Sequence, residues 1–465
     1  MKHWRSALLY GLMIAATVGG FFAVSFLGRE LVAPESMSVP GVGRVRHASS
    51  AETLLHVLLA MAVIIAVARI LGNAFRRLHQ PPVIGEVVAG ILLGPSLLGA
   101  IAPNVSGYLL PGEVAPFLGV IAQVGVILYM FIVGIELDTH QLRHRTHASV
   151  AISHASIIAP FLLGTSLALF LYPSLSTRDV PFALFALFMG VSMSVTAFPV
   201  LARILTDRGI HKSRMGAIAL ACAAVDDVTA WCLLAFVVSV AQAQPERVLL
   251  TVALTAGFIA SMLLFVRPIV TRFVRYYEQG RLSGQSMTSV ACMSLLLSAL
   301  ATEGIGIHAL FGAFLLGSLI PHDSKLALDL RGRLEDIVIV LFLPIFFAFT
   351  GMRTQIGLLT GASEWLLCGV IIIVASIGKF GGSAIAARLS GLDWRQSASL
   401  GILMNTRGLM ELIVLNVGLD LGVLSPILFA MMVLMAVVTT IATTPILGLM
   451  DPNKVFSPMG DHPTL

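Results

Sequence analysis

The sequence contains few charged residues for its length. Asp, Glu, Lys and Arg make up 11% of its 465 residues, whereas hydrophobic residues make up 57%. A soluble domain carries roughly a quarter charged residues, so this composition excludes a soluble globular protein. The mean hydropathy of +0.94 indicates a protein that crosses a membrane many times. The net charge of +5 does not imply nucleic-acid binding, because membrane proteins concentrate Lys and Arg in cytoplasmic loops.

Cysteine is also scarce. The chain has four, Cys222, Cys232, Cys292 and Cys368, and each lies in an apolar run. Their spacing matches neither a metal site nor a disulfide framework, so we expect all four to be small buried apolar side chains. The sequence also lacks a GxGxxG fingerprint after a strand. We therefore expect no cofactor and no nucleotide-binding domain.

Apolar segments dominate what is present. Fourteen are long enough to cross about 30 Å of hydrocarbon as helices. They cover residues 7–28, 52–71, 81–100, 113–137, 147–171, 181–205, 213–243, 247–272, 285–302, 303–321, 334–351, 362–388, 395–419 and 424–450. The first is either a signal peptide or a retained helix, and its length and lack of a small-residue cleavage site favour retention. The predicted fold is an all-α polytopic membrane protein with 13 core spans and an extra N-terminal helix.

The basic residues fall unevenly between the loops. Most of the 29 Lys and Arg lie on the same side as the loop after Leu71. The positive-inside rule assigns that side to the cytoplasm. We expect a multi-pass protein of the cell membrane with a short cytoplasmic tail at 451–465.

Five ionisable residues lie inside predicted spans: Asp226, Asp227, Lys379, Arg407 and Glu411. Each costs several kcal/mol at the bilayer centre unless it is paired or hydrated. A buried ion pair that only holds helices together is one explanation. One lysine cannot neutralise two aspartates, however, so a functional site is the favoured interpretation.

Other ionisable residues are weaker candidates. His154 and His308 also lie in spans, where a neutral histidine hydrogen-bonded between helices is more common than a transport role. Glu86 and Glu303 lie near helix ends, within reach of interfacial water. Arg407 and Glu411 are spaced i, i+4 and either satisfy each other or stabilise the region around them.

Two of the spans are interrupted. Segment 181–205 contains GVSMSVTAFPVLARIL, in which Pro199 lacks an amide hydrogen and Ser194 and Thr196 offer oxygens beside it. Segment 395–419 contains MNTRGLMELIVLN, where the apolar pattern is broken by Asn405, Thr406, Arg407 and Gly408. Unwound backbone at membrane depth must line a cavity or be buried in protein.

The positions of these interruptions suggest a repeat. Without the N-terminal helix, they fall in the fifth and the twelfth of 13 spans. If 247–272 is a linker, each becomes the fifth of a set of six. Six spans and one linker are an odd number, so the two sets have opposite orientations. Inverted repeats whose broken helices cross near the substrate site are typical of secondary transporters.

Seven strings carry a family resemblance. They are QPPVIGEVVAGILLGPSLLG (80–99), GVILYMFIVGIELD (125–138), SVTAFPVLARIL (194–205), AAVDDVTAW (223–231), GIHALFGAFLLG (306–317), LPIFFAFTGMRT (343–354) and MNTRGLMELIVLN (404–416). In this order, and over roughly 52–450, they resemble the monovalent cation:proton antiporter-2 family, which includes Kef-type and plant cation/proton exchangers.

The resemblance implies the sodium/proton antiporter fold. After an N-terminal helix and loop (1–51), the transmembrane domain (52–450) would divide in three. The parts are a scaffold (about 52–137 and 285–351), a linker span (247–272) and a core (about 147–243 and 362–450). In this family the core moves against the scaffold as an elevator, and the scaffold usually forms a homodimer. Because fifteen residues follow Met450, we expect no nucleotide gating of the Kef type.

The resemblance also implies site residues. Asp227 would carry the cation or the proton, Asp226 would pair with Lys379, and Thr196 would lie beside them. Adjacent helical residues point about 100° apart, which agrees with such a division of labour. A neighbouring lysine favours a charged carboxylate and burial disfavours it, so Asp227 is the one expected to exchange protons near neutral pH. Asp227, Thr196, freed carbonyls and water would supply the oxygens that a hard cation requires.

The predicted function is exchange of Na⁺, K⁺ or both for H⁺, with the two ions competing for Asp227. Exchange is obligatory if the empty charged site cannot cross, and it is electrogenic if a proton also displaces the Asp226–Lys379 pair. Ion identity and stoichiometry stay open. A cation channel, or a pH-regulated K⁺ efflux protein without strict coupling, is the alternative. An intramembrane aspartyl protease would need YD and GxGD strings, which the sequence lacks.

Overall fold

The computed structural model describes residues 2–28, 31, 50–136, 147–208, 210, 213–242 and 248–450. Regular secondary structure in these ranges is helical throughout. The α-helices are α1 (Lys2–Leu27), α2 (Ser50–Arg77), α3 (Pro82–Leu93), α4 (Leu98–Ile101), α5 (Pro103–Leu109), α6 (Ala115–Glu136), α7 (His147–Leu175), α8 (Phe182–Ser194), α9 (Phe198–Asp207), α10 (Arg214–Gln242), α11 (Val248–Ser261), α12 (Arg267–Glu278), α13 (Gly284–Ile305), α14 (Ala309–Ser318), α15 (Lys325–Ile337), α16 (Leu343–Arg353), α17 (Ala362–Leu389), α18 (Trp394–Met404), α19 (Leu409–Asp420) and α20 (Pro426–Leu449).

The helices are long and apolar enough to make this a multi-pass membrane protein. In the described ranges ten segments could each cross a bilayer, and the pair α18–α19, bent by 43°, would make an eleventh. Predicted segments 7–28, 181–205 and 303–321 are helical as well. Their apolar helical stretches are only 10 to 17 residues long, Gly11–Leu27, Phe182–Ser194 and Ala309–Ser318, so the count of 13 spans plus one stays a prediction.

Two spans contain a short π-helical segment. Met262–Val266 joins α11 to α12, and Val338–Phe342 joins α15 to α16. In each case a proline follows as the second residue of the next helix, Pro268 or Pro344. Proline donates no backbone hydrogen bond and clashes with the carbonyl one turn earlier. The wider i→i+5 turn accommodates the ring and lets the span continue.

The expectation that all four cysteines are buried was wrong. Cys222 and Cys368 are buried, but Cys232 is exposed and Cys292 is partly exposed. An apolar run indicates that a residue lies within the membrane. It does not indicate whether its side chain faces another helix or the lipid.

Helices from the two predicted scaffold ranges pack at small residues. A Cβ atom on Gly90 of α3 would lie 2.0 Å from the Ala348 carbonyl oxygen of α16, and one on Gly134 of α6 would lie 2.3 Å from the Phe314 carbonyl oxygen of α14. Helix backbones in membranes approach this closely only where side chains are small. α3 therefore packs on α16, and α6 packs on α14.

The same device joins α7 to α17. A Cβ atom on Gly378 would lie 2.8 Å from the Cα atom of Pro160, and one on Gly382 would lie 2.6 Å from the carbonyl oxygen of Ala155. Between these two glycines lies Lys379, which this contact holds against α7. The packing of α7 on α17 therefore positions the buried charges described next.

Candidate functional site

The first helix break separates α8 from α9. α8 ends at Ser194 and α9 begins at Phe198, with Val195 (ψ 137°) and Ala197 (ψ 95°) in extended conformations on either side of Thr196. Pro199 is the second residue of α9, where no backbone N–H is needed. The proline therefore begins the second half-helix, and the unwound residues precede it.

The second break separates α18 from α19. α18 ends at Met404, α19 begins at Leu409, and residues 405–408 connect them. Gly408 has an extended backbone (φ 169°), which other residues also adopt. The position demands glycine for lack of space, because a Cβ atom there would lie 2.6 Å from Cγ2 of Val200 on α9.

The two breaks contact each other. The Ala197 amide donates a hydrogen bond to the Thr406 carbonyl (3.0 Å), and the Thr196 hydroxyl lies 3.1 Å from the Met404 carbonyl oxygen. The unwound backbone of each break thus supplies partners to the other, as required for irregular structure within a membrane.

The region where the two breaks contact each other is called the crossing below. Asp226 lies beside it and is fully buried. Its Oδ1 atom accepts a hydrogen bond from the Ser153 hydroxyl (2.5 Å). Its Oδ2 atom accepts from the Ser156 hydroxyl (2.7 Å), the Thr196 hydroxyl (2.8 Å) and the Lys379 ammonium (3.0 Å). The carboxylate is therefore saturated by donors from three different helical segments.

Lys379 is fully buried as well. Besides Asp226, its Nζ atom donates to the carbonyl oxygens of Ser156 (3.0 Å) and Ser194 (2.5 Å), so all three ammonium hydrogens have acceptors. Ser194 is the last residue of α8, where the helix dipole is negative. The lysine thus neutralises Asp226 and also caps the C-terminal end of α8.

Asp227 has the opposite environment. Its side chain is 4% exposed, yet neither carboxylate oxygen has a hydrogen-bond partner among the described residues. The backbone amide of Phe198, at the positive end of α9, lies next to it without the geometry of a hydrogen bond. A buried charged carboxylate without donors is costly, so this position favours a bound proton or cation.

Arg407 and Glu411 form the second buried pair. Nη1 of Arg407 lies 2.8 Å from Oε2 of Glu411. The guanidinium also donates to the last carbonyls of α8, those of Ser192 (3.2 Å) and Met193 (2.8 Å). The two side chains therefore hydrogen-bond each other, and the arginine also contacts the carbonyls just before the first break.

The remaining predicted residues lie at various distances from the crossing. The Nδ2 atom of Asn405 lies 3.5 Å from the Ser376 hydroxyl oxygen on α17. His308 is half-buried and accepts a weak hydrogen bond from the Leu310 amide at the start of α14, the helix that it caps. Glu303 accepts a hydrogen bond from the Ala309 amide (3.0 Å), also at the start of α14. His154 is half-buried on α7 beside Ser153, and Glu86 is buried on α3.

Three hydroxyl residues at the crossing were missed by sequence reasoning. Ser153 and Ser156 lie three positions apart on α7 and both donate to Asp226. Thr440 on α20 hydrogen-bonds the backbone of Arg407. The i, i+3 spacing of the serines was a usable signal. Thr440 had none, because it is one of several threonines in an apolar run.

The chain resembles known transporters over most of its length. Residues 61–449 match the family model described as sodium/hydrogen exchanger, transmembrane. The Na(+)/H(+) antiporter NhaS4 of Synechocystis is 42% identical over 85% of this chain and 97% of its own length. Cation/H(+) antiporter 20 of Arabidopsis thaliana is 39% identical over 83% of the chain, and K(+)/H(+) antiporter 1 of Saccharomyces cerevisiae is 34% identical over 88%. The chain spans about half the length of these plant and yeast relatives (47% and 48%).

Solved structures show the same fold. The structure of the sodium proton antiporter MjNhaP1 from Methanocaldococcus jannaschii matches with a TM-score of 0.62 over 88% of this chain and 100% of that one, at 14% identity. The relatives are named as transporters, not as enzymes. With a family model that covers most of the sequence, the chain belongs to the transmembrane sodium/hydrogen exchanger family.

Proposed function

We propose that the protein is a secondary active transporter that exchanges a monovalent cation, Na⁺ or K⁺, for protons, and that the two ions share Asp227. One observation carries the proposal. Of two adjacent buried aspartates, Asp226 accepts hydrogen bonds from four side chains, whereas Asp227 has no hydrogen-bond partner in the described ranges.

The two environments decide which aspartate exchanges its ligand. For Asp226 to bind a cation, Lys379 would have to leave it, and breaking a buried pair costs about 3–5 kcal/mol. Asp227 loses no interaction of this kind when it binds or releases an ion. A proton or a cation at Asp227 instead removes an uncompensated charge, so both loaded forms are favoured over the empty one.

The crossing also offers neutral oxygens near the aspartates. Thr196 and Thr406 are fully buried, and Oγ1 of Thr406 has no partner in the described part of the chain. A hard monovalent cation takes oxygen ligands in place of water. Asp227, the unwound backbone, the Thr406 hydroxyl and retained waters supply that chemistry, and Thr196 holds the neighbouring Asp226 in place.

Packing supports the inverted repeat. A six-plus-six repeat with a linker at 247–272 pairs α3 with α14 and α6 with α16. It therefore predicts that the contact between α3 and α16 recurs between α6 and α14, and both contacts occur, at Gly90 and Gly134. We propose that the set of α7 to α10 and α17 to α20 forms the core that carries Asp227 across the membrane.

Among the described residues, few polar side chains connect the scaffold with this core. Arg353 of α16 reaches Asp420 (2.6 Å) and Asn416 (3.2 Å) of α19, and the Asn416 amide donates to the Thr350 hydroxyl of α16 (2.7 Å). Gln80 donates to the Ile441 carbonyl of α20 (3.2 Å). Such a sparse polar contact suits an interface that slides, as an elevator mechanism requires. A homodimer in the cell membrane with a cytoplasmic C-terminus completes the proposal.

Purified protein in proteoliposomes that enclose a pH-sensitive dye tests the exchange, with Na⁺ and K⁺ supplied separately. We expect at least one cation to drive proton movement, and we expect Asp227→Asn to abolish it. Asp323→Asn makes the same chemical change at an exposed position and should retain activity. Unaltered exchange by Asp227→Asn, or no proton movement with either cation, would overturn the proposal.

A further inference from the structure

Thr440 of α20 holds a single residue of the second break at two points. Its side chain is 1% exposed. The hydroxyl oxygen accepts a hydrogen bond from the Arg407 amide (2.9 Å) and the same hydroxyl donates to the Arg407 carbonyl (2.7 Å). Both backbone groups of an unwound, buried residue are thus satisfied by one side chain from another helix.

Neighbouring threonines behave differently. Thr439 donates to the Met435 carbonyl (2.8 Å) and Thr443 donates to the Thr439 carbonyl (3.0 Å), both within α20. This is the usual way in which a helical threonine satisfies its hydroxyl. Thr440 instead directs its hydroxyl across to the break, so its function differs from that of a solvated or self-satisfied helix residue.

The backbone held by Thr440 connects the parts of the site. Directly before it, the Thr406 carbonyl accepts from the Ala197 amide of the first break. The Arg407 guanidinium caps the last carbonyls of α8. Without the Thr440 hydroxyl, an amide and a carbonyl would be left buried and unpaired, which a protein avoids by rearranging the segment. That rearrangement would shift the Thr406 oxygen atoms and the start of α9, next to Asp227.

We propose that Thr440 is a positioning residue for the cation site: it fixes the second break through the backbone of Arg407 and so sets cation affinity without touching the ion. The inference rests on the proposed cation/proton exchange at Asp227. It assigns to α20 the support of the second break, as Asp226 of α10 supports the first break through Thr196.

Three variants test this role in the proteoliposome assay. Thr440→Val keeps the shape but removes the hydroxyl. We expect its half-saturating cation concentration to rise about tenfold, the factor that corresponds to about 1.4 kcal/mol, with a much smaller change in maximal rate. Thr440→Ser keeps both hydrogen bonds and should stay within about twofold of wild type, well inside that factor. Thr439→Val is the matched control and should also stay within about twofold.

The outcomes separate this inference from the proposed function. If Thr440→Val has the same half-saturating concentration as Thr439→Val while Asp227→Asn is inactive, the positioning role is wrong and the exchange stands. If wild type moves no protons with either cation, both the proposed exchange and the positioning role are wrong. If Thr440→Val does not fold, Thr440→Cys, with a weakly hydrogen-bonding thiol, should show a smaller rise in the same direction, and unchanged affinity would again overturn the role.

Discussion

Replacement of Lys379 by Met removes the positive partner of Asp226 from the protein interior. Lys379 and Asp226 are both fully buried, with Nζ and Oδ2 3.0 Å apart. The methionine fills a similar volume, so packing changes little. The carbonyls of Ser156 and Ser194 lose a donor, and the Asp226 carboxylate is left charged in an apolar interior. We expect this variant to be less stable than wild type at neutral pH.

The size of the loss follows from these contacts. Removing one partner of a buried ion pair costs about 3–5 kcal/mol. Because the hydroxyls of Ser153, Ser156 and Thr196 still donate to Asp226, we expect a value near the lower end, about 3 kcal/mol.

The assay is thermal unfolding of the purified protein in detergent at neutral pH. The double variant Lys379→Met/Asp226→Asn should recover most of the loss, because no isolated charge remains. Lys325→Met, at an exposed lysine, is the matched control and should unfold like wild type. A double-mutant cycle with a coupling below about 1 kcal/mol, the range of exposed pairs, would refute the reasoning.

Three further predictions concern the ions, the second break and the helix interface. If cation and proton compete for Asp227, the half-saturating cation concentration in transport should rise as pH falls, approaching about tenfold per pH unit, and a pH-independent value would contradict competition. Gly408→Ala should lower the free energy of unfolding by about 1–3 kcal/mol, because its Cβ would lie 2.6 Å from Cγ2 of Val200. Val200→Ala in the same chain should restore part of that loss, and a purely additive double variant would argue against the clash. Arg353→Gln removes a pair whose partners are 25% and 45% exposed, so unfolding should change by less than about 1 kcal/mol while the rate of exchange changes. An unchanged rate would show that this contact does not limit the motion of α19 against α16.

Much of the architecture could be predicted because the membrane imposes strong rules on sequence. Apolar length located the helices, and Pro199 together with Asn405 to Gly408 located the two breaks. The break itself lies at residues 195–197, before the proline. A proline disrupts the turn that precedes it, whereas its own position is compatible with the start of a helix. The exposure of Cys232 was not predictable, because a uniformly apolar helix does not reveal which face meets lipid.

The hydrogen-bond partners at the site were harder to predict than its charges. Asp226, Asp227, Lys379, Arg407 and Glu411 stand out because charge is rare in this chain. Serine and threonine are common in transmembrane helices, where most satisfy themselves on their own backbone. Ser156 and Thr440 differ from these residues because tertiary packing places other partners opposite them. The partner is a carboxylate for Ser156 and the amide and carbonyl of an unwound residue for Thr440. For Ser156 the acceptor is Asp226 of α10, 70 positions further along the chain.

Charge balance at the crossing connects this geometry to exchange. Asp226 is paired with Lys379, and Arg407 is paired with Glu411, so these two pairs together carry no net charge. Asp227 adds one negative charge that no described side chain neutralises by contact. A proton or one monovalent cation brings the crossing to zero, whereas the empty site is left with an isolated charge whose transfer through a low-dielectric interior is strongly unfavourable. Under the proposed exchange, alternation between two neutral loaded forms would couple the ions one for one, so long as the Asp226–Lys379 pair remains intact. If Lys379 released a proton when the cation bound, the same geometry would move net charge with each cycle. In the proposed mechanism, the stoichiometry therefore depends on the pair and not on Asp227 itself.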